Sequence, residues 1–480
     1  MAGPRLNLLS QEDINSIHRS SLRLLEQTGF RIPHPEILEM LRREGATIVE
    51  SKQVAKLPAD LVMRMVKKAP RTFTCHSRDG KHDFVVGDGS MHVITGANCP
   101  YVLDVYSGER RPGRIQDVRN LALLADALQN IDMQISFVAP LDVPGNIAEL
   151  SSFATMLQST TKFAYGTPIS GEETKFMIRL VDAIADSSGE SLRGPLAAAG
   201  FSPTTPLRFA YGVLQAVMEW EQRKFPIVFL PAPMLGGTSP VTLAGTLVLA
   251  NAEAITSIMI SQLINPGNPV VYGTIPGLMD PRSSIRSSGA PESGLLRVGA
   301  ITMAHFYGLP SYVSVGGDSK AVDVQSGLEK LASLLLTSLS GSDLVVGLGS
   351  IDSATMASAV QLVIDHELLG FCSRVRRGIE MDESSLAVDL IGEVSNTDAN
   401  FLGSEHTRKN LRREIWIPNL LVRQLYDAWK QAGSKDMVKR AREKVEEIRS
   451  SHQPPDISDR TRREIDEILR EAQKAEFRII

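Results

Sequence analysis

The sequence predicts an α/β fold: a (β/α)8 TIM barrel with an N-terminal cap of helices and a small β-sheet, and a C-terminal helical extension. Three observations predict it. From Gly96 onward, short β-branched or aromatic runs alternate with stretches of helical period; eight such pairs fill roughly 280 residues; and each run ends in a loop of the kind that carries chemistry in a barrel. Residues 310–330, PSYVSVGGDSKAVDVQSGLEK, hold one whole unit. The strand is 312–315, Gly316-Gly317 stops it, Asp318, Ser319 and Lys320 form the loop, and a helix follows over 325–339. A doubly wound open sheet shares this alternation, but no GxGxxG opens a first strand-to-helix turn.

Residues 1–90 form the cap. Ser10 and Asp13 have the spacing of a capping box, and Ile14, Ile17, Leu22, Leu24 and Leu25 make one helical stripe ending at Gly29. Shorter helices are expected near 35–44 and 59–68. From Thr72 the period becomes two, in TFTCHS, HDFVV and MHVIT. Arg78-Asp79-Gly80 and Gly87-Asp88-Gly89 separate these runs and read as hairpin turns of a small antiparallel sheet.

Residues 91–378 form the barrel. Its strands are expected at 92–95 or 101–105, then 134–138, 163–166, 196–200, 227–230, 270–273, 312–315 and 344–348. Each precedes a helix, at 115–128, 147–158, 172–186, 207–223, 242–264, 292–307, 325–339 and 357–371. Residues 379–480 lack strand patterning. Helices are expected over 416–429, 435–449 and 458–474, with SSHQPPD as a turn, and their mixed charge suits a solvated layer on the barrel or on a neighbouring subunit.

Composition narrows the function. A net charge of −4 leaves no basic footprint for nucleic acid or an anionic membrane. Cys75, Cys99 and Cys372 are far apart, without the spacing of a zinc site or a disulfide framework, and read as reduced thiols. The N-terminus lacks the apolar core of a signal peptide, and the apolar stretch 243–264 contains Asn251 and Glu253 and reads as a buried helix; the protein is expected to be cytoplasmic.

The loop face is poor in acid and base groups, with no paired carboxylate, HExxH or GxSxG. It offers Asn98, glycines that include Gly316, small hydroxyl residues that include Ser319, the acid Asp318 and the base Lys320. Aromatics stand at or near the strand ends: Tyr101, Tyr165, Phe201, Phe229 and Tyr272. Ring faces suit a quaternary ammonium, which has no hydrogen-bond donor. An aromatic inside a barrel strand is nonetheless more often core, and Asp318 also suits a plain turn.

GGDSKAVDVQSGLEK at 316–330, GAPES at 289–293, VLDVYSGERRPGRIQDVRNLALLADAL at 102–128 and VIDHELLGFCSRVRRG at 363–378 together resemble the trimethylamine methyltransferase family through nearly the whole chain. The resemblance implies a barrel that moves a methyl group from a methylated amine to the cobalt of a separate corrinoid protein. This chain would then bind no cofactor or metal itself, acting on cobalamin carried by a transient partner docked over the loop face. Family members acting on trimethylamine carry pyrrolysine near the seventh strand, where this chain has only ordinary residues between Asp318 and Gln325. That resembles the branch lacking pyrrolysine, which implies a quaternary amine such as glycine betaine as substrate. On this reading the aromatics and Asp318 hold the trimethylammonium and Lys320 pairs with the substrate carboxylate. Another quaternary amine (proline betaine, carnitine, choline), or a betaine- or corrinoid-protein-binding module without chemistry, is the alternative. A homo-oligomer is a further expectation.

Overall fold

The computed structural model describes residues 6–187, 194–475 and 477. Eight parallel strands close into a barrel in chain order: β1 (His92–Thr95), β2 (Met133–Ile135), β3 (Phe163–Gly166), β4 (Ala197–Phe201), β5 (Ile227–Phe229), β6 (Val270–Thr274), β7 (Ser311–Ser314) and β8 (Leu344–Leu348). The barrel helices are α1 (Ile115–Ala127), α2 (Ala148–Ser159), α3 (Gly171–Ser187), α4 (Tyr211–Glu221), α5 (Leu243–Ile264), α6 (Pro291–Phe306), α7 (Val324–Ser340) and α8 (Ala359–Arg377). Closure is made where β8 meets β1, Leu344 opposite His92, through a bulge between Val346 and Leu348. Gly347 in that bulge has φ 114°, and an added Cβ would lie 2.2 Å from the Val315 carbonyl, so glycine is required.

Side chains alternate across each strand, which splits the core in two. One cluster draws Ile94, Ile135, Tyr165, Ala198, Val228, Val271, Tyr312 and Val346 from the eight strands and fills the barrel. The residues between them, such as Ala164, Ile227, Phe229 and Tyr272, pack with the helices. The hairpin Phe73–Cys75 with Phe84–Val86 belongs to the inner cluster; the Phe84 ring lies tilted against His92 (4.4 Å) and meets Phe163 edge-on (5.9 Å) at the strand starts. It plugs the amino end of the barrel.

The small sheet therefore differs from the expectation. MHVIT leaves the hairpin to become β1, because its apolar face is needed to close the barrel, and a second sheet of Phe30–Arg31, Val54–Lys56 and Thr47–Val49 lies nearer the N-terminus. The alternative first strand, Tyr101–Leu103, instead pairs with Arg110–Pro112 and Met356–Ala357 in a separate sheet.

Helix Gln11–Gln27 starts at the Ser10–Asp13 capping box and ties to α5, where Ser21 donates to the Val248 carbonyl and Asn251 donates to Ser21. By length and composition α5 could cross a membrane, yet 78% of its most apolar window is buried in the fold. Its Glu253 accepts from the Leu207 amide (2.8 Å) and the Thr205 hydroxyl (2.9 Å).

Helices Met437–Ser451 and Asp459–Lys474 return to the barrel and bury Ala441, Val445, Ile465, Ile468 and Ala472. The helix expected over 416–429 is absent. Pro418 removes a donor, the Glu367 carboxylate captures the amides of Asn419, Leu420 and Leu421, and only Tyr426–Gln431 is helical. Short helices at Glu383–Leu386, Val388–Ser395 and Glu405–Glu414 precede it.

Candidate active site at the carboxyl ends of the strands

The strand alternation decides where the predicted aromatics point. Phe201, Phe229 and Tyr272 occupy outward positions and are buried among the helices; the Tyr272 hydroxyl donates to Asn251 of α5 (2.9 Å). This corrects the expectation that they line a pocket: one residue of register sends each to the opposite face. Tyr165 points inward, stacks on Tyr312 with ring centroids 6.1 Å apart, and its hydroxyl fills the space a Gly200 Cβ would take. It forms the floor beneath the loops. Tyr101 is half-buried, and the Arg110 guanidinium covers its ring at 3.4 Å. Its face is taken.

The loop after β7 is locked into its neighbours. Asp318 accepts from the Ser287 hydroxyl and from the amides of Ser288 and Gly289 (2.8 and 3.0 Å), joining two of the motifs that carried the family resemblance. Its own amide donates to Glu329, as does that of Ser319, whose hydroxyl donates to Asp323. Gly316 has no room for a side chain, since a Cβ would lie 2.2 Å from that of Ser288. Lys320 is exposed, its amine bonded to the Asp318 carbonyl and 3.3 Å from Asp352; Gln325 is exposed and donates to Glu329. Asp318 thus organises the loop rather than standing free, and Lys320 lies outside the buried network.

Behind Asp318 stand Arg286 and Arg297. Arg297 is fully buried and donates to the Ser333 hydroxyl and the Ser288 carbonyl, both at 2.6 Å. Burial, then the neighbouring Arg286, pushes its pKa down to about 9, against the pull of Asp318. The loop after β8 closes over this network through the Asp352 and Ser353 amides, bonded to the Ser319 and Gly317 carbonyls. Asp352, Ser353 and Ala354 all have φ between 52° and 71°. Three successive left-handed non-glycine residues are strained, and such strain gathers where function fixes the backbone.

The open space lies on the other side of the barrel mouth. A cavity of about 630 Å³ is lined by Asn98 after β1, Ala139 after β2, Thr167 and Ile169 after β3, Glu149 of α2, Glu173 of α3, and Phe477 near the C-terminus. Asn98, predicted from sequence, is positioned here by a left-handed backbone (φ 48°); its amide donates to Thr167 (2.9 Å), and its carbonyl oxygen is buried without a partner among the described residues. Thr167 in turn donates to Glu149 (2.8 Å). Glu173 is buried and accepts from the Ile169 amide (2.8 Å).

Burial pushes Glu149 up to about 7, the Thr167 hydrogen bond opposing and the Glu173 charge adding to the rise; burial raises Glu173 too. The charge of Glu173 is thus near enough to oppose ionisation of Glu149. This pair escapes a reading of the loop residues because neither acid is on a loop: each sits in the first turn of a helix. The signal was present as an acid directly after each strand-to-helix connection, where the helix dipole also favours it.

A sequence model of the trimethylamine methyltransferase (MTTB) family matches residues 2–477. The chain belongs to that family. It is 31% identical over 455 residues to a glycine betaine methyltransferase of Desulfitobacterium hafniense strain Y51, covering 94% of each chain. It is also 30% identical over 465 residues to the trimethylamine methyltransferase MttB of D. hafniense strain DSM 10664 / DCB-2, covering 97% of this chain and 93% of that one. With MttB of Methanosarcina barkeri strain Fusaro it shares 32% over 485 residues, with 98% and 96% covered. Among solved structures, the M. barkeri monomethylamine methyltransferase MtmB superposes with a TM-score of 0.53 over 98% of this chain and 95% of that one at 12% identity, a likeness of fold. As a member of the MTTB family, the protein is a methyltransferase of the methylated-amine type.

Proposed function

We propose that the protein demethylates a quaternary amine, glycine betaine first, passing the methyl group to the Co(I) of a corrinoid protein and releasing dimethylglycine. The observation that carries this reading is the cavity at the carboxyl ends of β1–β3, where Glu149 and Glu173 face one mostly apolar space. A carboxylate in such a space suits a trimethylammonium group, which is large, cationic and without donors. Glu149, raised to about 7, can keep its proton and donate to the substrate carboxylate while an ionised Glu173 faces the ammonium, so a zwitterion is matched at both ends. Two further facts support it: a glycine betaine methyltransferase is among the relatives, and the loop from Asp318 to Gln325 is made of ordinary residues.

When bound at the loop face, the corrinoid supplies a Co(I) nucleophile that attacks a methyl carbon; a Co–C bond forms, the C–N bond breaks, and nitrogen keeps the electron pair. Because the leaving nitrogen begins with a full positive charge, this chain needs no group to activate it. Its residues orient and desolvate. Asn98 and Thr167 hold Glu149 in place, and Ala139, Ile169 and Phe477 give the space its apolar walls.

Among the described residues no lysine or arginine lines the cavity, which favours a second reading, a quaternary amine with an uncharged tail such as choline. The experiment that separates them is methyl transfer to cob(I)alamin, free and carried by a corrinoid protein, from glycine betaine, choline, carnitine and trimethylamine. Conversion with glycine betaine and not trimethylamine is the expected result. Conversion with choline alone supports the second reading, and conversion with trimethylamine alone removes the quaternary-amine assignment.

A further inference from the structure

Residues 379–425 leave the end of α8 as a segment that buries almost nothing. Only Leu420 in it is buried, and helices Val388–Ser395 and Glu405–Glu414 bury no residue at all. Helices this short do not hold themselves in water. Met381, Val388, Leu402, Ile417 and Leu425 are 65–85% exposed, and apolar exposure on this scale marks an interface. The segment is fastened to its own barrel near its far end, where Arg374 donates to the Glu414 carbonyl, Trp416 meets Phe371 edge-on and Glu367 holds residues 419–421. The preceding part touches chiefly itself, through Arg413 with Glu380 and His406 with the Ser384 carbonyl.

Charge in this segment is divided by position. Residues 379–403 carry six acids and no lysine or arginine, whereas 404–425 carry five basic residues and two acids. Glu380 is the member of the acidic half that pairs with the basic half, and Glu383, Asp389, Glu393 and Asp398 make no ion pair among the described residues. A surface with an acidic half beside a basic half is complementary to itself once rotated by a twofold axis, because acid then meets base twice.

We propose that residues 379–425 are a dimerisation arm, in which two copies of the chain pair their arms about a twofold axis, acidic half on basic half, closing the apolar residues between them. The occupant has to be permanent. A protein that docks once per turnover leaves the arm bare between visits, while a second copy is present whenever the chain is. The arm is also distinct from the cavity at the barrel mouth, so this inference stands apart from the substrate assignment.

Sedimentation of the full chain across micromolar concentrations tests it, with a dimer of about twice 52.3 kDa expected. Reversing the acidic half (Asp389→Lys with Glu393→Lys) or the basic half (Arg408→Glu with Arg412→Glu) should each raise the dimer dissociation constant by about tenfold or more. The chain carrying all four changes should dimerise again, as should a mixture of the two reversed chains, and unchanged circular dichroism shows that each variant folds. A full chain that stays monomeric throughout overturns the proposal. So does a dimer indifferent to both reversals, or arm variants that remain dimeric and lose only the binding of a corrinoid protein.

Discussion

Glu149 and Glu173 illustrate how a site can be built from residues whose neighbours make them unusual. In water each would be ionised at neutral pH; here burial and mutual repulsion lift Glu149 to about 7. Replacing Glu173 by Gln should lower kcat/KM for the quaternary amine roughly thirtyfold, about 2 kcal/mol, by removing the desolvated carboxylate that faces the ammonium. Two pH effects follow from the raised value of Glu149. Below pH 4.5 the carboxyl is protonated in folded and unfolded chains alike and its contribution to stability is full; as pH rises towards about 7 the unfolded chain sheds the proton first, so that contribution falls away. Melting temperature should therefore decline over this window in the wild type and less in Glu149→Gln. Turnover of glycine betaine should also fall above about pH 7, when Glu149 loses its proton, and a choline-like substrate should show no such loss. An alkaline limb identical for both substrates would remove the Glu149 proton from the mechanism.

At the scale of elements, strand and helix order was legible because periodicity reports local burial, and eight strand-to-helix units are a long, consistent pattern. Which face an aromatic takes was not legible. Phe229 and Tyr165 read alike in sequence; the parity of each strand within the closed barrel sends one to the helices and the other to the centre. Nor did spacing reveal that Lys330 of α7 reaches Asp365 of α8. Both are fully buried; the lysine amine donates to the Gly347 carbonyl (2.6 Å) and lies 3.5 Å from the carboxylate, which also receives the Gly349 amide. Burial pulls Lys330 down and pushes Asp365 up, and each is the other's main offset. The pair fastens the two helices to the bulge that closes the barrel. Lys330→Ala should cost about 3–5 kcal/mol by stranding the carboxylate, whereas Lys330→Met with Asp365→Leu should recover most of it. Denaturant unfolding of both variants measures this, and equal losses would show that packing volume rather than charge is what the site requires.

Across the whole molecule, the mixed charge of the C-terminal helices left open whether they layer on their own barrel or on a neighbouring subunit. The structure places Asp459–Lys474 on α3 of its own barrel, with Arg179 paired to Glu471 at 2.7 Å. That placement carries Phe477 to the rim of the cavity, edge-on to Phe176 at 6.0 Å. A residue more than three hundred positions from Glu149 and Glu173 thus helps exclude water from them, and desolvation is what gives a carboxylate its hold on an ammonium. Phe477→Ala should raise KM for the quaternary amine about tenfold while leaving kcat within about twofold, since it loosens binding without moving the reacting methyl group. The Glu149 titration should shift back towards ordinary carboxylate values in the same variant, because water then reaches it. If KM rises and the titration stays near 7, Phe477 contributes contact alone, and the dryness of the cavity comes from the barrel itself.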